Sequence, residues 1–176
     1  QQDYAAFNPN LSVGVLAKIT LPTGNYSQSK AINLGSNRWA AQLGVPVVYY
    51  FGNSFLDPKL TVLEISPSVT FYSENSSAFG GGTISQKPLY QVEAHLSRNI
   101  TRAMFLSLDG LWINGGKTSN NGGSNDDKQN SFSLGASIGL NLSRSTSIKV
   151  SYGKVVNRNS NGADGDMVRI ILSKSF

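Results

Sequence analysis

One stretch of the chain alternates strictly between apolar and small polar residues. Over the twelve residues 131–142, every second side chain is Phe, Leu, Ala or Ile, and the side chains between them are Ser, Gly or Asn. Successive side chains of a β-strand point to opposite faces, so a period of two predicts a strand with one apolar and one polar face. No helix pattern competes in this stretch.

Seven further segments alternate in the same way and are predicted as strands. They are residues 11–20, 37–51, 60–72, 89–96, 103–114, 147–156 and 168–176. The connections alternate too: those at 52–59, 97–102 and 143–146 are fairly short, whereas those at 21–36, 73–88, 115–130 and 157–166 are long and polar. Outer-membrane barrels combine short periplasmic turns with longer extracellular loops in this way. The pattern predicts an all-β, antiparallel up-and-down transmembrane β-barrel with eight strands, a single domain over 1–176 in which 1–10 is a lead-in or a fragment boundary.

Alternation alone does not say which face is outside, because a soluble lipocalin-type barrel or a β-sandwich shows the same period with the faces exchanged. Here the polar face is built from Ser, Gly, Gln, Thr and Asn, and only 14% of the chain is charged, against about 25% in a typical globular protein. Aromatic residues cluster toward strand ends, as in the girdles of membrane barrels. The predicted girdle comprises Trp39, Tyr49, Phe51, Phe71, Tyr90, Trp112, Phe132, Tyr152 and Phe176. Lipid outside is favoured, and a soluble secreted binding module is the alternative.

Single charged or amide side chains interrupt the predicted polar face. In hydrocarbon a basic residue costs about 2–4 kcal/mol, whereas in a wet lumen it can pair or line a path. These residues are therefore candidates either for a structural network or for a solute path. The lumen-lining candidates are Lys18, Arg38, Gln42, Glu64, Glu93, His95, Asp109, Lys149 and Arg169.

Several short motifs resemble catalytic or ligand-binding signatures, but their context argues against that chemistry. The G-x-S-x-G pattern at 135–139 needs a sharp strand-to-helix turn, and the alternation passes straight through it. The Gly-Gly-Lys-Thr sequence at 115–118 lacks the first glycine of a phosphate loop, because Leu111 occupies that place. The Asn- and Asp-rich segments 125–127 and 161–166 lack the spacing of a calcium loop. We expect neither an enzyme nor a cofactor.

Composition excludes other classes. The chain has no cysteine and His95 is its only histidine, so a thiolate or multi-histidine metal site is not expected. The formal net charge is +5, but Lys and Arg are scattered singly, and nucleic-acid binding is not predicted. No stretch approaches the ~20 apolar residues of a spanning helix. The first residues do not form a signal peptide, so the chain is expected to begin after a cleavage site or to be a fragment.

Four segments carry a family resemblance. They are LPTGNY at 21–26, INLGSNRW at 32–39, PLYQ at 88–91, and the loop from GGKT at 115–118 to DDKQN at 126–130. Their sequences, order and spacing resemble the family of outer-membrane barrels named for the meta-pathway of phenol degradation. The resemblance implies a channel or transporter without catalytic residues, proposed to admit aromatic or other hydrophobic compounds.

The resemblance also bears on the size of the barrel and on partners. Family members are longer, so the chain is expected to be the C-terminal part of a barrel of about twelve strands, or eight strands that close on themselves. Side chains normally fill an eight-stranded barrel, which makes a non-conducting anchoring or adhesion role through the loops the alternative. Expected partners are outer-membrane lipids, a small hydrophobic solute, and the barrel-assembly machinery, which would read a C-terminal strand ending at Phe176. Lys174 departs from the apolar residue expected near that end.

Overall fold

The computed structural model describes residues 10–52 and 57–175, and every regular element within them is a β-strand. The strands are β1 (Leu11–Val13), β2 (Leu16–Thr20), β3 (Ala40–Gly44), β4 (Val47–Phe51), β5 (Thr61–Tyr72), β6 (Ile84–Gln86), β7 (Leu89–Asn99), β8 (Met104–Gly115), β9 (Thr118–Asn120), β10 (Gly123–Ser124), β11 (Gln129–Asn141), β12 (Thr146–Arg158) and β13 (Asp166–Lys174). In this part of the chain no helix has the length and hydropathy needed to cross a membrane.

Ten strands form one antiparallel sheet, which we call the strand wall. Its order is β1–β4–β5–β7–β8–β11–β12–β13, with β2 paired to β3 and β3 to β5. Since β1 with β2 and β3 with β4 each form one interrupted row, the wall has the eight rows that the alternation predicts. Rows that are adjacent in the chain are adjacent in space. The predicted all-β, antiparallel architecture is confirmed. Within the described residues the path is open, with β1 and β2 at one edge and β13 at the other.

The first two predicted strands are wrong in one respect, because each is interrupted. The interruptions lie opposite each other: Gly14 N donates to Pro46 O at 2.8 Å, and Val45 N donates to Pro67 O at 3.1 Å. Proline has no N–H to give to the ladder, so regular pairing stops at Pro46 and resumes beyond it. The second row also begins at Ala40 rather than at Asn37, whose φ of 50° lies in the left-handed region.

Two connections that were predicted as polar loops contain strands. β6, β9 and β10 form a three-stranded sheet in the order β10–β9–β6. It continues the β7–β8 hairpin beyond a bend, where Gly116 N donates to Pro88 O at 2.9 Å. Gly115 and Gly116 have φ values of 111° and 69°, which only glycine adopts readily. A Cβ on Gly115 would overlap the carbonyl oxygen of Pro88. The alternation cannot reveal these strands because they are only two or three residues long.

Exposure across the strand wall is the reverse of that in a soluble protein. Leu108 and Leu134 are 65% and 50% exposed, whereas Ser107 and Ser137 are 6% and 5% exposed. In the described part of the chain the only buried apolar residue is Ala78, so no dry apolar core is present on either side. An apolar surface that is continuous over several strands marks contact with a membrane or a partner.

Candidate functional site

The polar face of the strand wall carries the side chains that the sequence singles out as lumen-lining. Cross-strand register places Lys18 opposite Gln42, and Glu64 opposite His95. His95 is in turn opposite Asp109 on the next strand. Arg38 lies just before β3 and shares a recess with Lys18 and Gln42, while Glu93, Lys149 and Arg169 share another with His95 and Asp109. Their role in lining a lumen stays a prediction.

Asp109 is the centre of a hydrogen-bond cluster on β7, β8, β11 and β12. Its Oδ1 lies 2.7 Å from His95 Nδ1 and accepts a hydrogen bond from Ser107 Oγ at 2.7 Å. Its Oδ2 accepts from Ser137 Oγ at 2.6 Å, and Ser137 Oγ lies 2.9 Å from Ser151 Oγ. Side chains of three strands thus contact this one carboxylate, and Ser151 extends the cluster to a fourth strand through Ser137.

The cluster fixes the orientation of the only imidazole. An ionised carboxylate only accepts hydrogen bonds, so His95 Nδ1 carries a hydrogen and its N–H donates a hydrogen bond to Asp109. In the neutral imidazole this leaves Nε2 as an acceptor. Ser107 and Ser137 both contact Asp109 rather than His95, so the arrangement differs from a Ser-His-Asp triad, in which the histidine contacts the serine nucleophile.

Beside this cluster is a recess of about 380 Å³, which we call the glycine-floored recess. Its floor is formed by Gly135 and Gly153, which are register partners on β11 and β12. The polar-face side chains around it include acidic or imidazole groups (Glu93, His95, Asp109), basic groups (Lys149, Arg169), serines (Ser133, Ser137, Ser151) and apolar groups (Leu111, Val155, Met167). Lys154, Asp164 and Asp166 line the end of the recess toward the long connections. Protein pockets that bind small molecules have volumes of about 300 Å³ or more and combine apolar walls with a few polar groups.

A second recess lies toward the long connections, near β2 and β3. The Arg38 guanidinium carbon is 4.6 Å from the centroid of the Tyr72 ring, and its Nη2 donates to Gln86 Oε1 at 2.5 Å. Desolvation lowers the pKa of Arg38, while its interaction with Tyr72 raises it, and an arginine remains cationic at neutral pH. With Lys18 on the same recess, this end of the polar face is basic.

The long connections, residues 21–39, 73–88, 116–128 and 159–165, form a structure that we call the loop rim. Asn75, which is 5% exposed, joins the first two connections. Its Nδ2 donates to the Tyr26 hydroxyl at 3.0 Å, and its Oδ1 accepts from Asn37 Nδ2 at 3.0 Å. The β6–β9 pairing joins the second connection to the third. Asn161 Nδ2 joins the third to the fourth by donating to Asp126 O at 2.7 Å.

Two carboxylates of the loop rim have a lowered pKa. Hydrogen bonds from the Thr118 side chain and backbone N–H lower the pKa of Asp127, whose Oδ1 lies 2.8 Å from Thr118 N. The pKa of Asp164 is lowered by the backbone N–H of Gly165 and by Arg158, whose Nη2 is 2.6 Å away. The described residues contain no group of three or more His, Cys, Asp or Glu side chains that could hold a metal ion.

The predicted girdle aromatics that the structure describes lie on the apolar face and are 39–52% exposed. Five lie toward the loop rim: Trp39, Phe71, Tyr90, Trp112 and Phe132. At the opposite end, the rings of Tyr49 and Phe51 pack edge to face, with centroids 4.7 Å apart. Tyr152 lies near the middle of β12. Phe176 lies outside the described residues, and a girdle role for all of them stays a prediction.

Sequence reasoning missed the serines around Asp109 and the floor and apolar lining of the recess. Ser107 and Ser137 occupy polar-face positions, but their pairing with Asp109 depends on the strand register, which the alternation does not specify. Leu111, Val155 and Met167, by contrast, could have been recognised from the sequence. Each is an apolar residue at a polar-face position, and such exceptions to the period can mark a binding surface.

The chain is similar to known proteins both in sequence and in fold. A family model described as "Putative MetA-pathway of phenol degradation" matches residues 3–170. Among solved structures, an outer membrane channel from Pseudomonas putida F1 superimposes with a TM-score of 0.73 at 20% sequence identity. The match covers 95% of this chain and 60% of that one, so the chain spans 60% of the length of that channel. No curated protein matches the chain.

Proposed function

We propose that this chain, which belongs to the family described as "Putative MetA-pathway of phenol degradation", forms part of the wall of an outer-membrane channel for small aromatic or hydrophobic solutes. The observation that carries the proposal is the reversed exposure of the strand wall. Leu134 is half exposed, while Ser137, on the other face of the same strand, is buried. A lipid environment outside and water inside accounts for both faces at once.

Closure of the wall is part of the proposal. Every residue of β2 and of β13 is exposed, and these strands lie at opposite edges. Unpaired edges do not occur in hydrocarbon, because each open N–H and C=O would be left without a hydrogen-bond partner. Further strands, for a total of about twelve, would connect the two edges, in keeping with the greater length of the similar channel.

The polar face supports passage of a solute rather than catalysis. The glycine-floored recess combines charged groups with Leu111, Val155 and Met167, a lining that suits a solute with an apolar ring and polar substituents. Both serines that contact Asp109 donate to its carboxylate, so this cluster lacks the serine–histidine hydrogen bond that activates a nucleophile. We therefore propose a non-enzymatic role.

The two faces can be tested by chemical accessibility. The chain has no native cysteine, so a single introduced thiol reports on its own surroundings. Ser133→Cys and Leu134→Cys place it on the polar and the apolar face of β11. In intact outer membranes, we expect a water-soluble thiol reagent to modify the first variant and to leave the second unmodified. Equal labelling of both, or recovery of the protein in buffer without detergent, would refute the membrane assignment.

Conduction needs its own measurement. In planar bilayers, the full-length protein should give discrete single-channel steps. Ser133→Trp should lower the conductance, since it places an indole on the polar face, whereas Leu134→Trp should leave it unchanged. A silent bilayer would favour the alternative of an anchoring or adhesion barrel. The hydrogen bonds that join the four connections of the loop rim would give such a barrel a rigid binding surface.

A further inference from the structure

The glycine-floored recess has charges of opposite sign on its two sides. Glu93 and Asp109 lie on β7 and β8, and Lys149 and Arg169 lie on β12 and β13. His95 contacts Asp109 as a hydrogen-bond donor, and the salt bridge between a basic and an acidic side chain in the described part of the chain joins Arg158 to Asp164. Neither Lys149 nor Arg169 lies within salt-bridge distance of a carboxylate there. Lys154, Asp164 and Asp166 line the recess too, but Lys154 and Asp166 are partners in the register row of Leu134, on the opposite face, and Asp164 pairs with Arg158. The charges at polar-face positions therefore form a dipole that is directed across the strands.

The surface between the two charged sides is flat. Strand register gives one continuous row: His95, Asp109, Gly135, Gly153 and Met167 are successive partners on β7, β8, β11, β12 and β13. The two glycines in its middle have no side chains, so the peptide backbone itself is the floor. A planar ring can lie against such a floor with Leu111 and Val155 at its edges.

We propose that this recess binds an aromatic ring with a hydroxyl group at one end and a carboxylate at the other, such as 4-hydroxybenzoate. The hydroxyl donates to His95 Nε2 or to the Glu93 carboxylate, and the carboxylate accepts from Arg169 and Lys149. This inference rests on the proposed function in that solutes must reach the polar face from water.

The width between the proposed partners of the two substituents leaves room for one ring. β7, which carries His95 and Glu93, and β13, which carries Arg169, are four strand spacings apart, or about 19 Å at ~4.8 Å each. In the proposed pose the imidazole and the long arginine side chain extend toward each other over the glycine floor and take up part of that width. Arginine binds a carboxylate through two parallel hydrogen bonds, which fixes the direction of the ring. In 2-hydroxybenzoate the same two groups are adjacent, so the molecule can satisfy only one side of the recess.

The chain's two methionines provide a direct readout. Met167 lines the recess, while Met104 pairs with Leu140 on the apolar face. We would label the methionine methyl groups of the full-length protein with carbon-13 and titrate 4-hydroxybenzoate and 2-hydroxybenzoate at neutral pH. The Met167 methyl resonance should shift saturably with the first compound, the Met104 resonance should not, and the second compound should bind at least about tenfold more weakly. Equal responses to both isomers, or no response at Met167, would overturn the proposal.

Variants test the floor and the basic side separately. A Cβ at position 153 would have Leu134 O as its nearest neighbour at 3.8 Å, so Gly153→Ala fits the fold but raises a methyl group on the floor. Gly110→Ala is the matched control: its backbone also borders the recess, but its Cβ would lie on the apolar face, in the row of Leu134, where the nearest atom is 3.9 Å away. We expect the first variant to weaken 4-hydroxybenzoate binding several-fold and the second to leave it unchanged. Arg169→Gln should remove the preference for the 4-isomer. Unaltered affinity in Gly153→Ala, or unaltered preference in Arg169→Gln, would contradict the proposed pose.

The outcome for the recess is separable from that for the channel. Isomer-selective binding at Met167 in a protein that gives silent bilayers would support the recess and refute conduction. A conducting protein whose Met167 methyl responds to neither compound would support the channel and refute the recess.

Discussion

The strand wall and the loop rim are both built from β-structure and polar side chains, but different interactions hold them together. In the wall, long strands such as β8 and β11 pair through their backbones over twelve consecutive register partners. In the rim, strands have two or three residues, and single side chains such as Asn75 join separate connections. The wall is therefore specified by a repeated pattern, and the rim by individual contacts. Substitutions should affect the two regions by different amounts.

The largest difference is expected between neighbouring residues on opposite faces of the wall. Leu134 lies at the middle of β11 and is half exposed on the apolar face. In lipid vesicles, Leu134→Lys should lower the free energy of unfolding by about 2–4 kcal/mol, because a charge at the bilayer midplane is poorly solvated. Ser133→Lys puts the same charge on the polar face and should change it by no more than about 0.5 kcal/mol. Denaturant titration of the two variants measures both values. Similar costs would mean that the two faces do not differ in solvent.

The wall was predictable because alternation is a repeated signal. Twelve alternating residues around Ser137 give both the strand and the side of each residue, and every long row was found in this way. The signal weakens where the backbone departs from regular pairing. Pro46 interrupts two rows without altering the alternation around it, since a missing N–H affects hydrogen bonding and not polarity.

The next largest effect should occur at the bend between wall and rim. Gly115 has a φ of 111°, and a Cβ there would overlap Pro88 O. Gly115→Ala should cost about 1–3 kcal/mol of unfolding free energy, the usual cost of a non-glycine residue held in such a conformation. Gly110→Ala, five residues earlier in the same strand, meets only atoms at ordinary contact distance and serves as the control. If both variants have the same stability, the bend does not depend on glycine.

Most of the rim and part of the candidate site could not be predicted. Asn75 and Tyr26 are separated by 49 residues, and nothing in either local sequence indicates that they meet. The same is true of Asp109 and Ser137, which are 28 residues apart. For such polar residues the sequence indicates at most the face of the sheet on which they lie. Their hydrogen-bond partners depend on the register of the strands and on the path of the loops.

Within the rim, Tyr26→Phe tests a single hydroxyl group. The Tyr26 hydroxyl donates to Ser77 O at 2.8 Å and accepts from Asn75 Nδ2 at 3.0 Å. Its loss should cost about 0.5–1.5 kcal/mol, the range for a hydrogen bond with partly exposed partners. Hydrogen exchange should become faster at the amides of both connections, while the amides of β11 stay unchanged. Uniform acceleration throughout the protein would show that the rim and the wall unfold together.

The smallest effect should be the response of the rim to acid. Hydrogen bonds from Thr118 lower the pKa of Asp127 below the ordinary aspartate value of about 3.9. The carboxylate therefore stabilises the folded rim above about pH 4, and this contribution is lost as the pH falls through the lowered pKa. Because the group is close to solvent, it should amount to no more than about 1 kcal/mol.

The amide proton of Thr118 reports this titration, because it donates to Asp127 Oδ1 at 2.8 Å. Its NMR resonance should move with a midpoint below about pH 3.9, and Asp127→Asn should remove the movement. Asp126→Asn eliminates the same charge one residue away and leaves the Thr118 contacts in place, so the titration should persist in that variant. A midpoint at or above the ordinary aspartate value would mean that the contact does not favour the ionised form. In that case the Thr118–Asp127 contact would add no charge-dependent stability to the β6–β9 pairing and the Asn161–Asp126 hydrogen bond, which also hold the third connection.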